Sequence, residues 1–240
     1  MQYLKFDIAY DGSRFCGSAT QPHKNTVQDS LNSALSRMGI FDSCLMASRT
    51  DKGVHASHNV CKVSSSHHFK DLDWVAKKLN IHLNENIVIK KITQVDEDFN
   101  PRFDAKYRQY RYILCHKPLN PFLSKYYTFY KEVDINYLNL LLQNLVGTYD
   151  FSNFCLVNQS TSNIRTIYKA YAYRHFDFSV VCFVANGFLR GQIRYMMSFL
   201  LKALDGKFGI DELVAQRDGK ASFSHTLAPP NGLYLSRIVY

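Results

Sequence analysis

Two kinds of hydrophobic pattern alternate along the chain. Some stretches switch between apolar and polar residues at every position, whereas others carry apolar residues three or four positions apart. The first pattern is typical of half-buried strands and the second of amphipathic helices. In the first half they predict strands at 3–10, 44–47, 59–63 and 87–95, with helices at 27–38 and from Asp71 or Asp73 onward. We expect the second of these helices to bury Trp74, Val75 and Leu79.

The second half shows a comparable series of patterns. It follows a polar, turn-like segment at 96–102, which we take as the boundary between the two halves. Strands are predicted at 103–114, 167–176, 178–186 and 233–240, and helices at 134–146, from 192 onward and at 211–217. Each half therefore has the order strand, helix, strand, strand, helix, strand. This order is typical of a ferredoxin-like α+β unit with a mainly antiparallel sheet. We predict two such halves, residues 1–102 and residues 103–240.

Composition narrows the class of protein. The 240 residues are 46% hydrophobic and include 16 Tyr and 17 Phe, which indicates a folded protein. No apolar run approaches the ~18 residues of a membrane helix, and the strand-like start leaves no room for a targeting peptide. We therefore expect that the protein has no membrane partner. We expect it to work in the cytoplasm or in the mitochondrial matrix. The net charge of +9 favours attraction to nucleic-acid phosphates.

The cysteines and histidines do not predict a metal site. The six cysteines lie mostly in apolar runs and form no Cys-x-x-Cys pair. His55 with His58, and His67 with His68, lack a Cys, Asp or Glu partner at ligand spacing. We expect buried, reduced thiols and no bound metal.

The segment Arg49–His55 is the main candidate for chemistry. It lies between two predicted strands, and Gly53 permits a positive φ there. Thr50 and Asp51 are able to return hydrogen bonds to the local backbone, so the turn could hold one carboxylate rigidly. A solvated hairpin tip is the simpler interpretation of such a turn, but the motif is longer than a tip requires.

This segment resembles the signature Gly-Arg-Thr-Asp-Ala-Gly-Val-His of the TruA-type tRNA pseudouridine synthases. Ser48 and Lys52 replace the first Gly and the Ala. The segment Tyr10–Ser13 is similar to the opening motif of the same family, although Ser18 stands where Trp is usual. Ser48 and the short chain also resemble the eukaryotic branch of the family.

The second half carries further matches. Its first strand interleaves Arg with Tyr, a pattern typical either of an amphipathic strand or of base stacking and phosphate binding. The family has Ala-x-x-Arg-x-Tyr-x-Tyr there, and Ala105, Arg108, Tyr110 and Tyr112 match it. The later segments that end in Arg194 and contain Leu233 are also similar to family motifs.

The resemblance implies a pseudouridine synthase fold whose two halves flank a central basic cleft. It implies isomerisation of specific uridines in tRNA to pseudouridine, in the anticodon stem-loop region, by a homodimer that uses no cofactor. The sequence leaves open which uridine is modified and whether the substrate is tRNA or another RNA.

The resemblance also assigns roles to residues. Asp51 is the catalytic carboxylate, and three roles stay open for it: attack on the ring at C6, attack on C1′, or removal of a sugar proton. Arg194 keeps Asp51 ionised, Tyr110 and Leu233 enclose the uracil, and Arg49 fills the space that the flipped nucleotide leaves. Candidate RNA contacts, some from charge alone, are Lys52, Arg108, Arg111 and Arg190.

A second hypothesis is an RNA-binding or RNA-chaperone protein of the same fold that has little or no turnover. The departures at Ser18, Ser48 and Lys52 support it. The presence of Asp51, Tyr110 and Arg194 favours the enzyme. A nuclease is a poorer match because no carboxylate cluster or histidine pair suggests cleavage chemistry.

Overall fold

The structure is a computed structural model that describes residues 1–156 and 162–240. Its strands are β1 Gln2–Tyr10, β2 Leu45–Met46, β3 His55–Ser65, β4 Ile87–Val95, β5 Tyr107–Cys115, β6 Thr128–Phe129, β7 Gly147–Asp150, β8 Ile164–His175, β9 Phe178–Ala185 and β10 Leu233–Val239. Its helices are α1 Val27–Ser36, α2 Leu72–His82, α3 Ile135–Gln143, α4 Gln192–Leu204 and α5 Ile210–Arg217. The chain divides into two compact units. The first unit is Met1–Lys106 with Tyr234–Tyr240, and the second unit is Tyr107–Leu233.

The first unit is a sheet in the order β4-β1-β3-β10, with helices α1 and α2. β1 runs antiparallel to both β3 and β4, whereas β10 runs parallel to β3 and pairs Tyr234 with His55. Alternate residues of β1 are fully buried, as its sequence pattern predicts. The core side chains include Leu4, Phe6 and Ile8 of β1, Val27, Leu31 and Leu35 of α1, and Val75 and Leu79 of α2.

Helix α2 begins as expected but faces the core differently. Asp71 is its N-cap and accepts a hydrogen bond from the Trp74 N–H at 2.9 Å. Val75 and Leu79, four residues apart, are buried as predicted. Trp74 is 48% exposed, so the prediction that it is buried was wrong. Trp74 directly precedes Val75, and the rotation of the helix between these two residues turns the Trp74 ring away from the core face.

The second unit is a sheet in the order β5-β9-β8-β7, and the short β6 pairs with β5. β8 and β9 form the predicted hairpin. Beyond the end of β7, the Asn139 side chain of α3 bonds both the N–H and the carbonyl of Ala172 on β8. The helix thus satisfies backbone groups that a neighbouring strand would otherwise pair. Large side chains that are fully buried include Tyr112, Leu114, Phe151, Phe154, Phe183 and Phe199.

The unit boundaries differ from the predicted halves. The strand expected from residue 103 begins at Tyr107, because Asn100 and Asp104 hold the preceding segment in a hydrogen-bonded turn. The last strand was assigned to the second half by its position in the sequence, yet Tyr234–Tyr240 belongs to the first unit. Its parallel pairing with β3 is a long-range contact that local sequence patterns do not encode.

The structure also describes the state of the cysteines and the lengths of the helices. All six cysteines are free, and Cys44, Cys61, Cys115 and Cys182 are buried. Within residues 1–156 and 162–240, no helix is both long and apolar enough to cross a membrane.

The backbone approaches itself closely at Gly12, in the turn after β1. A Cβ atom at Gly12 would lie 1.9 Å from the carbonyl oxygen of Val54. We expect Gly12→Ala to force these two segments apart and to destabilise the protein by at least about 1–3 kcal/mol, the usual cost of overpacking. Thermal unfolding monitored by circular dichroism measures this. Gly187→Ala is the matched control, because its new Cβ meets no described atom closer than 3.7 Å. Equal melting temperatures for the two variants would contradict the prediction.

Candidate active site

Asp51 lies in a tight loop of the first unit, between β2 and β3. Gly53 has a φ of +80°, as predicted, and the Val54 N–H donates to the Asp51 carbonyl at 3.1 Å to close the turn. Asp51 is partly exposed, while Arg49 and Lys52 on either side are exposed. The loop therefore presents a carboxylate with two cationic side chains nearby in sequence.

Ser18 braces this loop from the side. Its N–H donates to the Thr50 carbonyl at 3.1 Å, and its Oγ accepts from the Thr50 N–H at 2.8 Å. Ser18 itself is fully buried. Both backbone polar groups of the residue before Asp51 are thus paired inside the protein, which fixes the direction in which the loop leaves Thr50.

The side chain of Thr50 is held as well, but not as expected. Its hydroxyl lies 2.9 Å from the Tyr10 hydroxyl, so it bonds a distant strand and not the local backbone. Asn59 donates to both the Tyr10 hydroxyl and the Ser48 carbonyl, at 3.2 and 3.0 Å. Burial raises the pKa of Tyr10, so its hydroxyl stays protonated in this network.

His55, at the end of the signature segment, connects it to the opening motif. The Gly12 N–H donates to His55 Nδ1 at 3.2 Å, and the same nitrogen lies 3.1 Å from Asp11 Oδ1. The ring is 2% exposed and stacks on Tyr234, with centroids 4.6 Å apart. The two motifs, far apart in sequence, thus form one hydrogen-bonded cluster in the first unit.

Tyr110 lies on β5 in the second unit. It is 7% exposed, and its ring meets the edge of Phe188 with centroids 5.2 Å apart. Arg108 shares its face of the strand, and is buried with Nη1 donating to the Asn186 carbonyl at 2.9 Å. Arg111 is exposed, but it follows Tyr110 directly and therefore points to the opposite face of the sheet. The two arginines therefore lie on opposite faces of β5, and their role as RNA contacts stays a prediction.

Arg194 lies in the first turn of α4, which begins after Gly191 with a φ of +73°. Its Nε donates to the Ala228 carbonyl at 2.8 Å, and the Ala228 N–H donates to the Arg194 carbonyl at 3.0 Å. Burial raises the pKa of Tyr112 to about 12, while the positive charge of Arg194 acts in the opposite direction. Arg194 is thus a partly exposed cation with a fixed backbone partner.

Leu233 ends a helical turn at Pro230–Gly232 and is 5% exposed. Asn231 anchors this turn by donating to the carbonyls of Ser124 and Tyr127. Arg190 is exposed, in the turn before α4. The candidate residues therefore divide between the units. The first unit carries Arg49, Asp51 and Lys52, and the second carries Tyr110, Arg190, Arg194 and Leu233.

Comparisons with known proteins identify the family. A family model described as tRNA pseudouridine synthase matches residues 8–104 and 141–240. A tRNA pseudouridine synthase A of Campylobacter jejuni is 49% identical, with all of both chains covered. Proteins of that name from Helicobacter pylori and Wolinella succinogenes are 36% and 34% identical, covering 100% and 97% of this chain and 100% and 92% of their own. The chain belongs to the tRNA pseudouridine synthase family.

The family assignment confirms the resemblance and the pseudouridine synthase fold that it implied. The three relatives are bacterial, so they lend no support to the eukaryotic branch. No group of three or more His, Cys, Asp or Glu side chains in the described parts of the chain is placed to hold a metal ion.

The sequence patterns did not identify Ser18 and Asn59 as the residues that hold the Asp51 loop in place. We noted Ser18 only as the loss of an aromatic residue, and Asn59 only as part of a strand. Asn59 is fully buried, and an uncharged polar residue among the apolar positions of a strand is a usable signal, because burial requires a hydrogen-bond partner. For Ser18 the sequence offers no comparable signal.

We expect Ser18→Ala to leave the buried Thr50 N–H without its acceptor and to lower the free energy of unfolding by about 1–3 kcal/mol. Urea unfolding at equilibrium measures this. Ser36→Ala is the matched control, since Ser36 is exposed at the end of α1 and its Oγ donates to the Ser33 carbonyl of the same helix. A loss no greater than that of the control would show that the hydroxyl does not support the loop.

Proposed function

We propose that this protein converts uridine in tRNA to pseudouridine, with Asp51 as the catalytic carboxylate. The observation that carries the proposal is the braced loop, which presents Asp51 within the signature segment of the synthase family. The full-length relatives named tRNA pseudouridine synthase A support the reaction and the substrate.

The reaction is an isomerisation. The bond from C1′ to N1 of the uracil breaks, a bond from C1′ to C5 forms, and the hydrogen of C5 is lost while N1 gains one. Attack on C6, attack on C1′ and removal of a sugar proton all require an ionised carboxylate as nucleophile or base. A rigid loop suits each of these roles, because catalysis depends on a fixed position relative to the substrate.

Other residues would hold the substrate. A base inside a folded RNA must leave its stack before the enzyme reaches it. Tyr110 packs on the flipped uracil, Leu233 lines its pocket, and Arg49 fills the space it leaves. Arg194 supplies a fixed positive charge. Lys52 and Arg190, both exposed, bind phosphates.

The alternative of a binding protein without turnover is not favoured. The relatives that match this chain from end to end carry the synthase name. Ser18, one of the departures that supported the alternative, uses its side chain in the hydrogen bonds of the loop. This departure therefore fits an ordered active-site loop.

Asp51→Asn tests the division between chemistry and binding. We expect it to abolish pseudouridine formation while the dissociation constant for tRNA changes less than about threefold, because phosphate contacts supply most of the affinity. Pseudouridine is mapped at single-nucleotide resolution in tRNA, and binding is measured by fluorescence anisotropy. Asp98→Asn, an exposed carboxylate in the same unit, is the control. If Asp51→Asn still forms pseudouridine, the role assigned to Asp51 is refuted. If it loses tRNA binding to the same extent as activity, the division between chemistry and binding is refuted.

We also propose that the protein is a homodimer and modifies the anticodon stem-loop region, as the resemblance implies. Tyr171 and Tyr173 of β8 support a dimer, since they are 41% and 39% exposed and stack with centroids 6.4 Å apart. Tyrosines with an apolar body and a polar tip are enriched at protein interfaces.

We expect the double variant Tyr171→Ser, Tyr173→Ser to shift the protein from dimer to monomer in sedimentation-velocity ultracentrifugation. Trp74→Ser, which removes a similarly exposed aromatic ring from the first unit, serves as the control and should leave the dimer intact. A dimer that persists in the double variant would place the interface elsewhere, and a monomeric wild type would refute the dimer.

A further inference from the structure

We propose that Lys202 and Thr226 bind a backbone phosphate of the substrate RNA, at a site separate from the residues discussed above. Lys202 lies in α4, and Thr226 lies in the loop between α5 and β10. With Ser198 and Ser224 they form a group that we call the Lys202 cluster. The proposal rests on the proposed function, because it assigns the cluster to the same RNA substrate.

The cluster is built from hydroxyl groups around one ammonium group. Lys202 Nζ donates to Ser224 Oγ at 2.9 Å and to Thr226 Oγ1 at 2.8 Å. Ser198 Oγ lies 2.7 Å from Thr226 Oγ1. None of the carboxylates in the described chain forms an ion pair with Lys202. Among the described residues, the ammonium group of Lys202 is therefore held by hydroxyl groups and not by an acidic side chain.

Lys202 and Thr226 each have a hydrogen-bond donor available for a ligand. An ammonium group has three N–H donors, and two of those of Lys202 are used. Thr226 Oγ1 accepts from Lys202, and when it also accepts from Ser198 its own O–H is available. Thr226 is exposed, whereas Ser198 and Ser224 are buried behind it. One N–H and one O–H at a partly exposed cation match the oxygens of a phosphodiester.

The cluster is also preorganised. The Gln216 side chain, which is fully buried, donates to the Ser224 carbonyl and accepts from the N–H groups of Phe223 and Ser224. Farther along the loop, Ala228 exchanges two hydrogen bonds with Arg194. A lysine already fixed by two hydroxyl groups loses less conformational entropy on binding than a freely rotating one.

The position of the cluster on α4 relates it to Arg194. Arg194, Ser198 and Lys202 are four residues apart and lie along one face of the helix. Lys202 is eight residues from Arg194, which corresponds to about 12 Å along the helix axis. A phosphate bound there belongs to a nucleotide a few positions from one near Arg194.

A purely structural role makes a different prediction. A lysine that only holds the loop contributes to the stability of the protein but neutralises no phosphate. The salt dependence of RNA binding separates the two roles, because each neutralised phosphate contributes about 0.7–0.9 to the slope of log affinity against log salt concentration. Loss of one contact lowers this slope by about one unit at most.

The test is Lys202→Gln in the full chain, with tRNA binding measured by fluorescence anisotropy at several salt concentrations. We expect the dissociation constant to rise about three- to tenfold at ~0.1 M salt and the slope to fall by about 0.7–0.9. Lys77→Gln removes the same charge from an exposed position on α2 and should change neither. Lys202→Arg keeps the charge and should restore the slope. A slope for Lys202→Gln equal to that of the wild type would overturn the proposal.

Two further measurements separate binding of RNA from a structural role and from binding of a free anion. Thr226→Val keeps the shape and the charge, so it should weaken tRNA binding without changing the slope, and it carries the test if Lys202→Gln does not fold. The second measurement compares the stability of the wild type in inorganic phosphate and in chloride at equal ionic strength. If phosphate stabilises the wild type while Lys202→Gln has no effect on tRNA binding, the cluster binds a free anion, and the RNA assignment is overturned. Uridine conversion by the wild type is assayed in parallel. Its absence would refute the proposed function, while its presence with an unchanged slope would refute the Lys202 site alone.

Discussion

The two hydrogen bonds that the N–H and the Oγ of Ser18 form with the backbone of Thr50 are the constraint on which the Asp51 loop depends. An unpaired N–H in a buried position costs about 1–3 kcal/mol, so other loop conformations that break this pairing are unfavourable. Tyr10 and Asn59 add hydrogen bonds to Thr50 and Ser48. The first unit therefore presents Asp51 from a rigid base without needing a regular helix or strand at that position.

The second unit uses a helix for the same purpose. α4 carries Arg194 in its first turn and Lys202 near its end, and the loop before β10 is bonded to both of them. A helix holds charged groups at fixed spacing, and the loop keeps their side chains in place. One rigid element thus fixes both Arg194 and Lys202, the charges that we propose act on the chemistry and on the RNA backbone.

Local sequence rules predicted much of the fold because they describe local physics. Caps at Asp71 and Asp134, the positive φ of Gly53 and the alternation in β1 follow from backbone geometry and burial. The rules failed where a long-range contact decides the outcome. The last strand, for example, joins the first unit through its parallel pairing with β3.

The sequence by itself determined the family, the order of the helices and of the strands other than β6 and β7, and the identity of the candidate catalytic carboxylate. These depend on short motifs and on periodicity, which are properties of neighbouring residues. Only the tertiary structure decided which polar residues hold the Asp51 loop in place and which hydroxyl groups surround Lys202. Hydrogen bonds between residues such as Ser18 and Thr50 form because the packed core brings distant segments together, and no local pattern records that approach.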